Sequence, residues 1–184
     1  MKRGLLALFL VILFMAPVHM AGFSISITGN YLSPADENFK TYYGNSIIFP
    51  ELKLRHKIFA GISLWAGYAT FSAAGTTGPV LQVETKSIQS YISFGLGYNG
   101  NLSPKLGYII EVGGVSFKYK EEAMGEAVSD TAFGFRADLA LTYKIVGPLF
   151  VELTVGYLSG SDTINGIDIK LGGMKAGAGL GVGF

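Results

Sequence analysis

The chain has 184 residues, a formal net charge of +1 and no cysteine. The near-neutral charge provides no basic surface for nucleic acid, and the absence of thiols excludes disulfides and thiolate metal sites. Hydrophobic residues make up 49% and the mean hydropathy is +0.41. Beyond the N-terminus, however, no apolar run reaches the ~20 residues of a membrane-spanning helix. The length fits one domain.

The N-terminal segment has the pattern of a secretory signal peptide. Lys2 and Arg3 form a positive start, and an apolar core follows from Leu5 to Met15. We expect cleavage near Ala21 or Gly22. A retained membrane anchor is the alternative, for which the apolar core is short. The predicted organisation is a signal peptide over residues 1–21 and one barrel domain over residues 22–184.

From Phe23 onward, hydrophobic residues alternate with small or polar ones, which is the period of strands with two different faces. The first segment places Phe23, Ile25 and Ile27 on one face, with serine at the positions between them. Helical periodicity is not convincing in any segment. The alternation predicts eight strands, around residues 23–31, 48–55, 62–68, 92–98, 108–112, 133–143, 149–157 and 176–184.

The connections between these strands alternate between long and short. Polar, glycine-rich loops are predicted over residues 33–45, 73–86, 119–130 and 160–166. Tight turns are predicted at residues 56–57, 99–104 and 145–148, of which the second contains Asn-Gly and the third ends in Gly-Pro. Loops at one end and turns at the other are typical of an all-β, eight-stranded antiparallel up-and-down barrel.

Alternation alone does not decide which face meets lipid, since a soluble barrel such as a lipocalin turns its apolar face inward. Aromatic residues on the apolar face gather near both strand ends, which suits the two interfaces of a membrane. At the loop end they are Tyr31, Tyr68, Phe133 and Tyr157, and at the turn end Phe23, Tyr98, Tyr108, Tyr143 and Phe184. These two girdles predict that the apolar face contacts lipid.

The opposite face carries small and charged residues and is predicted to line the lumen. Arg or Lys facing mid-bilayer lipid would cost roughly 2 to 4 kcal/mol, and an eight-stranded barrel has room inside only for side chains. Five acids and five bases are assigned to this face, including Arg55, Asp168 and Lys170, which predicts a network of paired charges with Arg136 as its hub. Its other expected members are Glu51, Lys53, Glu111, Asp138, Glu152 and Lys175.

Two residues disturb this pattern. Trp65 falls among the small lumen residues, so it either fills the lumen or indicates that the third strand is out of register. Pro50 lies within the weak second strand and cannot donate a ladder hydrogen bond. Because a closed barrel has no edge, a bulge is predicted at Pro50.

The last strand ends on Phe184, with Val182, Leu180 and Ala178 at the alternating positions before it. With this ending, the chain resembles the small outer-membrane β-barrel proteins of Gram-negative bacteria, which include the transmembrane domain of outer membrane protein A and the OmpX-like proteins. The resemblance implies an outer-membrane location, with membrane lipid and lipopolysaccharide as partners. It also implies that these four residues are an assembly signal for the barrel-insertion machinery.

The sequence favours a non-enzymatic role in the cell envelope, structural or in surface interaction, with no cofactor, metal or nucleic acid. A narrow pore for small or hydrophobic molecules is the runner-up, because a lumen lined by charges can conduct. A lipid-modifying enzyme is the third possibility and would depend on His56, which has no evident serine and carboxylate partners. A soluble ligand-binding barrel is the fourth.

Overall fold

The computed structural model describes residues 22–77, 83–123, 126–164 and 167–184, so the predicted signal peptide lies outside the described residues. Eight antiparallel strands form a closed barrel in sequence order, which confirms the predicted fold. No helix in the described ranges is long and apolar enough to cross a membrane. The elements are β1 (Phe23–Pro34), α1 (Glu37–Tyr43), β2 (Ile47–Phe59), β3 (Ile62–Thr77), β4 (Val83–Asn101), β5 (Leu106–Ala123), β6 (Glu126–Val146), β7 (Leu149–Ile164) and β8 (Ile167–Gly183).

Three of the four predicted loops are largely strand, so those predictions are wrong for the described residues. The ladders continue to the register pairs Thr77 with Val83, Ala123 with Glu126, and Ile164 with Ile167. Long strands can extend beyond the apolar band because each backbone polar group still finds a partner across the ladder. Within the described ranges, only the first predicted loop, residues 33–45, leaves the sheet; it does so after Pro34 and contains α1.

Two of the three tight turns also differ from the prediction. The first lies at Ala60–Gly61, where φ is 46° and 84°, the left-handed backbone that two-residue hairpin turns require. His56 therefore belongs to β2 and not to a turn. The second turn occupies residues 102–105, because β4 continues to Asn101. The third, at Gly147–Pro148, falls within the predicted range.

The predicted bulge at Pro50 is wrong. β2 pairs with β1 through the register pair Gly29 and Pro50 without a shift. On its other side, β2 pairs with β3 only from Glu51 and Ala69 toward the turn end. Pro50 thus has a strand neighbour on one side only, an edge position at which a missing N–H is tolerated.

The apolar face of the barrel points outward. Phe94, Leu180 and Ile27 are 64%, 61% and 60% exposed, and so large an apolar surface is unsuited to water. Trp65 is 3% exposed and pairs in register with Gly95, so it fills the lumen. The residues predicted as girdles all stand on the outer face, with Tyr31, Tyr68, Tyr98, Phe133, Tyr143 and Phe184 exposed and Phe23, Tyr108 and Tyr157 partly exposed.

Candidate functional site

The barrel interior has two levels, which we call the lumen network and the apolar plug. The lumen network lies at the level of the outer apolar band and contains only charged side chains. It comprises Glu51, Lys53, Arg55, Glu111, Arg136, Asp138, Glu152 and Lys175, each at most 4% exposed. The apolar plug lies above it, toward the loop end, and comprises Leu32, Ile47, Phe49, Ala69, Phe71, Tyr91, Val115, Phe117, Tyr119, Ala132, Leu158 and Leu171.

The part of the lumen network nearer the turn end is organised around Arg55. Its Nε donates to Glu111 Oε1 over 2.6 Å, and its two terminal nitrogens each donate to Glu152 over 2.7 Å. Arg55 also donates to Ser26 Oγ over 3.2 Å. The planar guanidinium thus binds Glu152 through two parallel hydrogen bonds while its Nε binds Glu111, and a lysine has no such fork of donors.

The part nearer the loop end is organised around Arg136. Its Nε donates to Asp138 Oδ2 over 2.8 Å, and its Nη1 donates to Ser93 Oγ over 2.8 Å and to Glu51. Lys175 Nζ lies 2.9 Å from Glu51 Oε2 and 3.1 Å from Asp138 Oδ2. The Arg136 guanidinium is also 5.1 Å from the centroid of the Trp65 ring, within cation–π range.

Lys53 joins the two parts of the network. Its Nζ lies 2.7 Å from Glu111 Oε2 and 3.1 Å from Asp138 Oδ2. Four acids and four bases are therefore buried together, and their formal charges cancel. Such balance is required because an unpaired charge buried in this network would cost about 3 to 5 kcal/mol.

The structure places all seven predicted members of the network inside the barrel, together with Arg55. Arg136 shares the predicted role of hub with Lys53, because Lys53 connects the two parts. Asp168 and Lys170, which were also assigned to the lumen, are exposed. The reason is the alternation along β8, where Lys175 and the odd-numbered residues after it point inward.

The apolar plug was not predicted. Phe49 and Phe71 rings lie 5.0 Å apart, and Tyr91 makes edge contacts with Phe49 at 6.1 Å and with Phe117 at 5.8 Å. No member of the plug is more than 8% exposed, so the side chains fill this level of the lumen. At the turn end, by contrast, a cavity of about 340 Å³ reaches up to Arg55.

Helix α1 covers the plug at the loop end. The Phe39 ring packs against the plug, and the Tyr43 hydroxyl donates to Glu121 Oε2 over 2.5 Å. Burial, together with this hydrogen bond, raises the pKa of Tyr43 to about 12. The Asp36 carboxylate caps the helix by accepting from Phe39 N, and it also accepts from Lys170 N, both over 3.0 Å.

Neither His56 nor any metal cluster forms a second site in the part of the chain that the structure describes. His56 is exposed, and its register partners are Phe23 and Leu64. No serine or carboxylate is therefore opposite the imidazole on either neighbouring strand. Within the described ranges, no group of three His, Asp or Glu side chains is placed to hold a metal ion.

The four residues of the expected assembly signal lie at alternating positions at the end of β8 and just beyond it. Leu180 is 61% exposed and Phe184 is 39% exposed on the outer face. Leu180 pairs in register with Ile27, Val182 with Ile25, and Ala178 with Gly29. They therefore lie at the seam where the first and last strands close the barrel.

Solved structures with the same architecture are outer-membrane or surface proteins of bacteria. They include the outer membrane protein OprG from Pseudomonas aeruginosa (TM-score 0.70, 14% identity, 90% of this chain and 97% of that one). Neisserial surface protein A is similar at TM-score 0.58 and 13% identity over 89% and 98% of the two chains. The attachment invasion locus protein Ail of Yersinia pestis is similar at TM-score 0.54 and 12% identity over 90% and 100%.

No protein-family model and no curated protein matches the sequence. At 12 to 14% identity, the structural likeness concerns the fold alone. The chain therefore has the eight-stranded antiparallel barrel fold of the small outer-membrane proteins of bacteria.

Proposed function

We propose that the protein is an integral outer-membrane barrel with a closed lumen and a structural or surface-interaction role, and that it carries out no catalysis. The proposed location rests on the outer face, which is apolar in the middle and bordered by aromatic residues at both ends. It is supported by the shared fold with outer-membrane proteins. Surrounding lipid is then an obligatory partner, and the end of β8 is the segment recognised by the insertion machinery.

The observation that carries this proposal is the filled lumen. An ion entering from the turn end would meet the paired charges of the lumen network and then the apolar plug, where Phe49, Tyr91 and Phe117 pack edge to edge. Passage would require breaking buried ion pairs and also separating the packed aromatic side chains of the apolar plug. Either barrier alone disfavours a conducting state.

The test is electrical recording from the purified, folded protein in a planar lipid bilayer, with a general porin as positive control. We expect no conductance steps from the wild type, although a heat-dependent gel shift shows that the same sample is folded. Regular conductance steps would contradict the proposal and favour the narrow pore. In that case, substitution of Arg136 or Lys175 should change the ion selectivity, because both side chains would line the path.

The enzyme alternative receives no support from the surroundings of His56. Its side chain is on the outer face, opposite Phe23 and Leu64, whereas a base that activates a nucleophile needs that nucleophile within hydrogen-bond reach. The measurement is the lipid profile of cells that express the wild type or His56→Ala. We expect the two profiles to be identical. A difference between them would support the alternative hypothesis of a lipid-modifying enzyme that depends on His56.

A further inference from the structure

The cavity at the turn end of the barrel is open to water and large enough for a small molecule. Its volume is about 340 Å³, which is at the lower end of the range for small-molecule sites. Arg55 lines its inner part, whereas Lys57 and Lys144, which also line it, are exposed. A solute can therefore enter this cavity without any movement of the lumen network.

The charge of the barrel is divided unequally between its two ends. On the turn-end side of the lumen network, the described residues include Lys57, Lys105 and Lys144 but no aspartate or glutamate. Around and beyond the apolar plug, toward the loop end, acids outnumber bases. The turn end is therefore the positive end of the molecule, and its field attracts small anions.

Two of these three lysines face into the cavity from opposite walls. Lys57 is on β2 and Lys144 is on β6, four strands apart in the closed barrel of eight. Both continue the inward alternation, Lys57 after Arg55 and Lys144 after Thr142, so they are directed away from lipid. In the ranges that the structure describes, the ion pairs nearest this end involve Lys53 and Arg55, and none involves Lys57 or Lys144. Both ammonium groups are therefore available to a ligand.

The inner part of the cavity presents a cation and not the acids behind it. Arg55 lines the cavity, whereas Glu111 and Glu152, which accept its hydrogen bonds, do not. The guanidinium thus lies between the cavity and these two carboxylates. An anion in the cavity meets three cationic side chains and no acidic one among the residues that line it.

The walls between the two lysines offer hydrogen bonds and apolar contact. The Ser63 hydroxyl accepts from Asn99 Nδ2 over 2.8 Å, which leaves its own proton to donate to a ligand, and Thr142 adds a second hydroxyl. Ile109 and Phe150 contribute apolar surface. A few polar groups set among apolar ones suit an organic molecule better than a bare inorganic ion.

We propose that the turn-end cavity binds a small organic anion, a phosphate ester or a dicarboxylate, with its charge between Lys57 and Lys144. The proposed outer-membrane location places this cavity on the periplasmic side, so the ligand is a solute of that compartment. Binding itself does not depend on that location. With the lumen closed as proposed, the cavity holds the anion and does not conduct it.

The test is calorimetric titration of the folded, detergent-solubilised protein with glucose 6-phosphate and, separately, with succinate. Glucose is the uncharged control and should not bind. The variant Lys57→Gln/Lys144→Gln removes both ammonium groups from the cavity, and Lys118→Gln/Lys170→Gln is the matched control that removes two exposed lysines toward the loop end. At about fivefold per lysine, the affinity for the anion should fall about 25-fold in the cavity variant. It should stay within about twofold of the wild type in the control, which is several Debye lengths away.

Binding of either anion that is weakened only in the cavity variant supports the proposal, and the anion that binds identifies phosphate or carboxylate as the preferred group. Binding of neither anion, equal losses in the two double variants, or equally tight binding of glucose would overturn it. The heat-dependent gel shift checks that each variant is folded, and the single variant Lys57→Gln gives the same comparison with a smaller change. Conductance recordings are independent of these titrations, so the closed lumen is tested separately.

Discussion

At the scale of single residues, the stability of the lumen network depends on how many partners each buried charge has. Arg136 satisfies Asp138, Glu51 and Ser93 and packs on Trp65. The two carboxylates each keep a second cation, because Lys175 contacts both and Lys53 contacts Asp138. Without Arg136, Asp138 would still have two cationic partners, whereas Glu51 would keep only Lys175.

We predict that Arg136→Ala lowers the free energy of unfolding by on the order of 3 kcal/mol, because it leaves buried carboxylates with too few donors. The measurements are the urea unfolding midpoint in lipid vesicles and the temperature of the gel-mobility transition. Lys144→Ala, an exposed position on the same strand, is the control and should change neither. An unchanged midpoint for Arg136→Ala would show that Arg136 does not hold the network together.

Tyr43 provides a pH-dependent contact between α1 and the barrel. Its pKa is raised from 10.0 to about 12, through burial first and the hydrogen bond to Glu121 second. Folding favours the neutral phenol, so this contribution to stability is complete below pH 10 and is lost as the pH rises through 12. Tyr43→Phe should remove this pH dependence of the stability, because phenylalanine has no phenolic proton to lose.

Ultraviolet difference titration of the wild type against Tyr43→Phe measures this directly. We expect the phenolate difference signal to develop near pH 12, with the remaining tyrosines cancelling. A signal centred near pH 10 would mean that α1 does not bury this hydroxyl in solution. Glu121→Gln should shift the signal toward pH 10, because the acceptor charge is removed.

At the scale of elements, α1 is held by Asp36, whose carboxylate joins the first turn of the helix to β8. We predict that Asp36→Ala releases the helix, since a lost N-cap alone costs about 1 kcal/mol and Lys170 N also loses its acceptor. Trypsin cleavage after Lys40 should then become faster. Glu37→Gln is the control, because its exposed ion pair with Lys40 contributes little, and equal rates in the two variants would contradict the prediction.

A part of every strand could be predicted because its outward face is apolar and its inward face is not, although for β5 that part was only residues 108–112 of Leu106–Ala123. Ile62, Leu64 and Tyr68 alternate with inward-facing residues that, apart from Trp65, are small, and the same period recurs in every strand. The loop-end extensions were missed for a specific reason. From Ala69 onward the period of two continues with its phase inverted, Phe71 pointing inward and Ser72 outward, and a polar outward face was interpreted as a loop.

The same inversion explains why the apolar plug was missed while the lumen network was not. Charges such as Glu111 and Asp138 stand out between apolar neighbours, and their parity alone places them inside. Phe117 and Tyr119 alternate with Lys118 and Lys120, a pattern typical of a soluble β-barrel. A window placed on residues 115–121 alone would have predicted a strand with the opposite face buried. The N-cap bond of Asp36 is local, but its second bond, from Lys170 N on β8, has no local signal in the sequence.

At the scale of the whole molecule, the single barrel has two levels along its axis, and the inward-facing residues differ in polarity between them. Around the lumen network the chain follows the rule of a membrane barrel, with polar residues inside. Around the apolar plug it follows the rule of a water-soluble barrel, with hydrophobic residues inside. Ion pairs close the lumen network, whereas packed hydrophobic side chains close the apolar plug. Loss of Arg136 is therefore expected to destabilise the barrel without opening a conducting path, because the apolar plug remains.

The loop-end rim is uneven, because β3 continues to Thr77 whereas its pairing with β2 stops at Ala69. β3 extends eight residues beyond Ala69, whereas β2 extends four residues beyond Glu51, to Ile47, so the wall is about 13 Å taller along the strand on the β3 side. A large molecule that approaches the loop end would be obstructed by that wall from one direction, and α1 contacts β3. Access to α1 is therefore oblique, over β1 and β2, and a partner that binds there must be orientated by the shape of the rim before it makes a single specific contact.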